Sequence, residues 1–267
     1  YFLVKKFEPE LLPANFWTNL VDKFKDGAGI SPKAGKPDIN VPVEFKDQKL
    51  EVALREEINK PIGPITRKDL LSVKELHLYD KQISDISLLA GLENLEQLNL
   101  YNNQIIDISP LAGLENLRWL NLEENRVSDI SSLAGLGNLR KLYLYDNQII
   151  NIGPLAGLKN LEDLSLIDNQ ITDIAILAGL ENLKRLSINE NELTSLSPLA
   201  GLENLVELYL DDNRISDLSP LSGLENLEEL FLQRNKLNDV SPLAGLKYLK
   251  NLRLGGNQIP DDQKAMI

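Results

Sequence analysis

His77 is the only histidine in the 267 residues, and cysteine is absent. A Ser-His-Asp hydrolase would have to be built on that one imidazole, because its serine needs a base and the base needs an orienting carboxylate. No G-x-S-x-G elbow accompanies it, and its neighbours Leu76 and Leu78 place it on the outward side of a strand. Without cysteine there is no thiolate nucleophile, thiolate zinc site or disulfide; the redox compartment stays open. Gly27-x-Gly29 lacks the third glycine and the preceding strand of a dinucleotide loop, so it reads as a linker. The residues give no catalytic constellation, and the chain is read as a non-enzyme.

Carboxylates recur in two columns. Asp80, Glu124, Asp146, Asp168, Glu190 and Asp212 form one; Asp85, Asp107, Asp129, Asp173, Asp217 and Asp239 form the other. Such columns attract calcium or a basic partner, but each presents one ligand per repeat in a line, where a calcium site needs oxygens converging from a loop. The expectation is a solvated face, with no metal and no cofactor.

The aromatic residues are more informative. From residue 73 onward they are Tyr79, Tyr101, Trp119, Tyr143, Tyr145, Tyr209, Phe231 and Tyr248. All but Tyr248 fall on the outward positions of short predicted strands, where no core lies to bury them. One reading is cross-strand pairing that stabilises a sheet; the favoured one is an interaction surface, because exposed aromatic clusters mark such sites. Tyr79, Tyr101, Trp119, Tyr143, Tyr145 and Ile167 form one expected patch, with Glu123, Lys141 and Arg185 as polar contacts. Tyr209 and Phe231 form a second, separated from the first by Ser165 and Ser187.

What positions these residues is a period of 22. Leu95, Leu117, Leu139, Leu161, Leu183, Leu205, Leu227 and Leu249 are evenly spaced, with Val73 one step earlier and no insertion. The consensus is L-x-x-L-x-L-x-x-N-x-I-x-D-I-x-x-L-x-G-L-x-N, and seven columns are aliphatic in all eight complete repeats. The L-x-L alternation predicts a short strand with two side chains inward. Glycines at 91, 113, 135, 157, 179, 201, 223 and 245 mark a turn that is expected to need a residue without Cβ. Asn103, Asn125, Asn147, Asn169, Asn191, Asn213, Asn235 and Asn257 follow the strands and are read as a structural ladder that satisfies irregular backbone. One repeat cannot bury its apolar face alone, so the array folds as a stack with capped ends.

These repeats resemble the 22-residue leucine-rich repeats of the bacterial internalin type, over Val73 to Ile259. The resemblance implies an α/β solenoid: a right-handed curved array with a parallel β-sheet on the concave face, a 3₁₀ or irregular convex face and a helical N-terminal cap. It also implies a secreted or cell-surface protein that binds a protein or peptide on the concave sheet. Because aromatic rows also stack on sugars, a carbohydrate-binding module is the alternative, as is an accessory domain of a larger surface enzyme.

Five segments are expected. Residues 1–26 form an amphipathic helical segment, with Phe16, Trp17, Leu20, Val21 and Phe24 on one face, and 27–42 a linker. Residues 43–72 form the helical cap: Asp47 starts a helix carrying Leu50, Leu54 and Ile58, and Thr66 with Asp69 makes a capping box before Leu70 and Leu71. Residues 73–259 are the repeats, and 260–267 begin a C-terminal capping helix, after which the natural protein is expected to continue. The net charge of -12 sits in the array. Residues 1–72 hold 12 basic and 11 acidic side chains, and the remainder 16 against 29. Nucleic acid is therefore disfavoured and a basic or mixed-charge partner favoured; no apolar run is long enough to insert in a membrane.

Overall fold

The computed structural model describes residues 39–264, and the helical segment expected at 1–26 lies outside them. Nine strands make one parallel sheet in chain order: β1 (Glu75–His77), β2 (Gln97–Asn99), β3 (Trp119–Asn121), β4 (Lys141–Tyr143), β5 (Asp163–Ser165), β6 (Arg185–Ser187), β7 (Glu207–Tyr209), β8 (Glu229–Phe231) and β9 (Asn251–Arg253). Every residue pairs with the one 22 positions on, as Leu120 does with Leu142 and Leu142 with Leu164. The array is a curved solenoid with the sheet on its inner side, and eight 3₁₀ segments such as Ser109–Leu111 and Gly153–Gly157 stack along the outer side.

The alternation explains the core. Leu142 and Leu144 point inward and are wholly buried, and they meet Ile149, Ile152, Leu155, Leu158 and Leu161 of the same coil. Each coil repeats this set, so the core is a column of aliphatic layers running the length of the sheet. The layers interdigitate only with those above and below, because no side chain in the consensus reaches further.

Corners of the coil have their own chemistry. The residue before each ladder asparagine is left-handed: Asn102, Glu124, Asp146, Asp168, Glu190, Asp212 and Arg234 have φ between 48° and 55°, Gly256 closes the series at 79°, and Asp80, before Lys81 at the same place in the first repeat, has 56°. Asp and Asn tolerate this region better than most side chains, which gives the first acidic column a conformational reason. The second acidic column caps turns. Asp107 Oδ1 accepts from Ser109 N–H at 2.8 Å, and Asp85, Asp129, Asp173, Asp217 and Asp239 bond the residue two positions on in the same way. Bonding to the ionised form holds the carboxyls of Asp85, Asp217 and Asp239 below their ordinary range.

The glycine column requires a residue without Cβ at some of its positions and not at others. Gly91 and Gly113 have positive φ, but the six later members do not, and a Cβ at Gly135, Gly201 or Gly223 would meet nothing within 4 Å. The turn is made there without a left-handed residue.

At the N-terminal end, α1 (Gln48–Glu57) and α2 (Arg67–Leu71) cover the first coil with Leu50, Ala53, Leu54 and Leu70 buried. Asp47 joins the two parts. Its Oδ1 caps α1 at Lys49 N–H (2.8 Å), and its Oδ2 accepts from Ser84 N–H (2.8 Å) and Asp85 N–H (3.2 Å) of the first coil. Burial opposes ionisation, yet these backbone bonds keep its carboxyl below the ordinary value. Thr66 and Asp69 form a reciprocal capping box. The side-chain bonds that Asp69 accepts from Lys60 and Thr66, with that of the Thr66 backbone, lower its carboxyl to about 2. At the other end α3 (Asp261–Lys264) follows buried Ile259, and Gln263 Oε1 accepts from Val240 N–H at 2.8 Å. The last residues, 265–267, lie outside the described part.

Candidate partner-binding face

Three outward columns make the concave face. The first runs Glu75, Gln97, Trp119, Lys141, Asp163, Arg185, Glu207, Glu229, Asn251, and the second His77, Asn99, Asn121, Tyr143, Ser165, Ser187, Tyr209, Phe231, Arg253. The third follows the strands, from Tyr79 and Tyr101 through Glu123, Tyr145 and Ile167 to Asn189, Asp211 and Gln233. Neighbours in a column stand about 4.8 Å apart.

That spacing crowds the side chains more than the sequence suggested. Tyr79 is the exposed aromatic of the face, at 47%; Tyr101, Trp119, Tyr143, Tyr145, Ile167, Tyr209 and Phe231 are all half-buried. The expectation that nothing would bury them is corrected by their own neighbours on adjacent strands, which supply the cover. Among the described residues two ring pairs form. Trp119 meets Tyr143 edge-on with centroids 6.0 Å apart, and Tyr209 meets Phe231 at 4.9 Å. Tyr79, Tyr101, Tyr145 and Ile167 share the third column without a ring contact of that kind.

The two halves of the face differ in how their charges are used. Toward the C-terminal end they close on themselves. Arg185 bonds Glu207 through Nε and Nη2 and Asp163 at 3.1 Å; Tyr209 donates to either Glu207 or Glu229, both at 2.8 Å; Arg253 lies 4.1 Å over the Phe231 ring. Burial first, then those two carboxylates, push the Tyr209 phenol far up. Buried Asp163 also accepts from Tyr143 Oη at 2.9 Å, and burial with that bond likewise raises Tyr143.

Toward the N-terminal end charges stay open. Glu123 takes one side-chain bond, from Asn121 Nδ2 at 3.0 Å, and has no cation beside it among the described residues. Lys141, exposed on β4 next to Trp119, has no ion-pair partner in the same set. His77 is exposed on β1, and only its backbone N–H is engaged, by Glu57 at 3.0 Å. Among the described residues no three His, Asp or Glu side chains converge on one point.

Behind the face the asparagines tie coils together. Asn147 Oδ1 accepts from Val127 N–H at 2.9 Å, while Nδ2 faces the carbonyls of Leu122 (2.9 Å), Leu144 (3.2 Å) and Tyr145 (3.2 Å). The same pattern runs from Asn103, Asn125, Asn169, Asn191, Asn213 and Asn235 to Asn257. Sequence reasoning missed a second column, Asn94, Asn116, Asn138, Asn160, Asn182, Asn204 and Asn226, each donating to a carbonyl 23 residues earlier. Its signal was the last letter of the consensus. Also missed was the column before the strands, where Glu96 pairs with Lys74 and Glu162 with Arg140 and Lys184. Cations and carboxylates sharing one 22-residue spacing were visible there, as in Lys74, Glu96, Arg118, Arg140, Glu162 and Lys184.

Comparison with known proteins agrees with this architecture. The model described as Leucine Rich repeats (2 copies) matches residues 72–113, 137–179 and 181–223, and that described as Leucine rich repeat matches 106–149 and 203–259. No catalytic family is among them, and no curated protein matches significantly. No helix among the described residues is long and apolar enough to cross a membrane. Of solved structures, internalin C2 from Listeria monocytogenes is 40% identical, with 83% of this chain and all of that one covered and a TM-score of 0.79. A second internalin (inlF) of the same organism is 30% identical over 83% of this chain and 80% of its own, with a TM-score of 0.61. A plant peptide hormone receptor, solved in a complex, is 26% identical over 69% of this chain and 32% of the receptor, with a TM-score of 0.62. With register, sheet and a relative matched along its whole length in agreement, this chain belongs to the internalin-type leucine-rich repeat proteins.

Proposed function

We propose that the chain is a non-catalytic recognition module that binds a protein or peptide partner across the concave face, centred on Trp119, Tyr143 and Tyr145. The observation that carries this is the contrast between the two halves of the face. From Asp163 onward, cations, carboxylates and rings satisfy one another, whereas around β3 and β4 a half-buried aromatic pair is flanked by Lys141 and Glu123, charges without a counterpart. Large rings ringed by unsatisfied polar groups are what interface hot spots are made of. The peptide-hormone receptor of the same architecture is a precedent for peptide ligands. By analogy with the internalins the module acts as a secreted or cell-surface protein.

The test is capture of surface proteins by the immobilised chain, identification of the partner, and titration of variants. Trp119→Ala is expected to weaken binding by about 2 kcal/mol or more at a nearly unchanged melting temperature, since the ring packs on Tyr143 and not in the core. Unchanged affinity would place the surface elsewhere, and glycan arrays screened in parallel separate a sugar ligand from a protein.

A further inference from the structure

The third column of the concave face holds a tyrosine, a glutamate and a tyrosine on successive coils: Tyr101, Glu123 and Tyr145. The backbone keeps them in line, with Asn102 N–H on Glu123 O at 3.0 Å and Glu124 N–H on Tyr145 O at 2.9 Å. All three side chains are half-buried. The two tyrosine strands are therefore roughly 10 Å apart at the backbone, twice the strand spacing. Two strand spacings are enough for one flat group to lie between the side chains of the outer strands, above that of the middle one.

Charge at this place is one-sided. Asn121 engages one oxygen of Glu123, and no Lys or Arg lies within ion-pair distance among the described residues. The adjoining left-handed corner adds Glu124, Asp146, Asp168 and Glu190. Tyr101 Oη donates to Glu124 at 2.9 Å, which orients that ring. Burial and the carboxylates Glu124 and Asp163 push the Glu123 carboxyl up, against the bond from Asn121. Desolvation has thus already been imposed on Glu123 by the fold, so an arriving cation restores favourable charge without stripping much further water from it.

We propose that Tyr101, Glu123 and Tyr145 form a subsite for an arginine side chain of the partner. A guanidinium fits better than an ammonium because it is planar, stacks on aromatic faces and pairs with a carboxylate through a rigid fork. The proposal rests on the concave face being the partner surface and adds the chemistry of one anchor, an exposed arginine in a protein or peptide.

The probe is an acetylated, amidated hexa-arginine peptide, titrated into the isotopically labelled 267-residue chain and followed by amide shifts and fluorescence anisotropy, with the citrulline peptide of equal length as the uncharged control. The arginine peptide is expected to shift the amides of Tyr101, Glu123 and Tyr145. Glu123→Gln and Tyr145→Ala each weaken its binding at least fivefold, Tyr145→Phe retains it, and the citrulline peptide fails to bind. Glu181→Gln, which removes an equal charge from an exposed turn outside the face, changes binding less than twofold. Equal losses for Glu123→Gln and Glu181→Gln, or shifts centred elsewhere, overturn the subsite in favour of diffuse attraction to an acidic protein. Melting curves of each variant separate loss of binding from loss of fold. If the subsite fails while Trp119→Ala still weakens capture of the natural partner, the recognition surface stands without its arginine anchor; if neither matters, the surface itself is wrong.

Discussion

Replacing Asn147 with alanine isolates what the ladder contributes. The amide is buried and makes four contacts, two in its own coil and two in the coil before it. Their losses are unequal. Leu122 O keeps a second donor in Asn125 (3.1 Å), and Leu144 O keeps one in Asn169 (3.0 Å), so both carbonyls stay partly satisfied. Val127 N–H has no such reserve and becomes an orphaned donor among fully buried leucines. An unpaired buried donor costs about 1–3 kcal/mol and each of the two weakened neutral bonds about 0.5–1.5 kcal/mol, which together give a loss of about 2–6 kcal/mol. The control is Asp146→Asn. It keeps a residue that tolerates φ of 50° and removes one carboxylate from an exposed acidic corner, so its effect is within about 0.5 kcal/mol. Urea titration with far-ultraviolet circular dichroism measures both, and amide exchange at Val127 reports the local event even if the array unfolds in sections. Coincident urea midpoints, or equal protection of Val127 in parent and variant, would refute the ladder argument.

Other expectations follow from the same bonds. Asn160→Ala removes one exposed bond to Gly137 O (2.8 Å) and should cost about 0.5–1.5 kcal/mol, clearly less than Asn147→Ala in the same titration. Asp47→Ala should destabilise the cap at pH 7 and expose Ser84 and Asp85 amides to exchange. Because the folded carboxyl lies below the unfolded value of about 4, Asp47 stabilises fully above that value and ceases to as pH falls through the lower, folded one. The gap between parent and variant melting temperatures should therefore narrow only below about pH 4; a gap that is flat from pH 7 to 2.5 contradicts this. Millimolar calcium should raise the melting temperature no more than an inert salt of matched ionic strength, since the convex carboxylates already accept from turn amides.

The fold was legible because its signal is redundant. Leu142 alone says little, but the same residue type at 98, 120, 164, 186, 208 and 230 fixes strand, register and inward face together. Parallel pairing at one constant offset leaves no topology to choose. The face was legible as a set of columns, since outward positions follow from the inward ones, but not as an arrangement. Whether Tyr209 stands free or bridges Glu207 and Glu229 depends on rotamers and on residues 20 positions away, which no local pattern encodes. Backbone conformation was the other blind spot. The column from Asp80 to Arg234 looked like a charge pattern, and what unites Asp146, Asn102 and Gly256 is a dihedral angle that the letters only hint at. The glycine column misled in the opposite sense, suggesting that every turn needs a residue without Cβ, whereas positive φ occurs at Gly91 and Gly113 and a Cβ at Gly135, Gly201 or Gly223 would meet nothing.

The uninterrupted period also makes this protein a ruler with movable graduations. Every seam between coils is chemically alike, with an asparagine rung, aliphatic layers and the same strand register. Removing residues 161–182 would set Arg185 beside Lys141 in the first column and Ser187 beside Tyr143 in the second, with Asn191 taking the place of Asn169 in the ladder. The fold would close over the gap. What would change is the separation of Tyr143 from Tyr209, shortened by one strand spacing of about 4.8 Å. Loss or gain of one 22-residue unit would thus change the distance between groups on the face in whole steps while leaving the backbone of the remaining coils as it is.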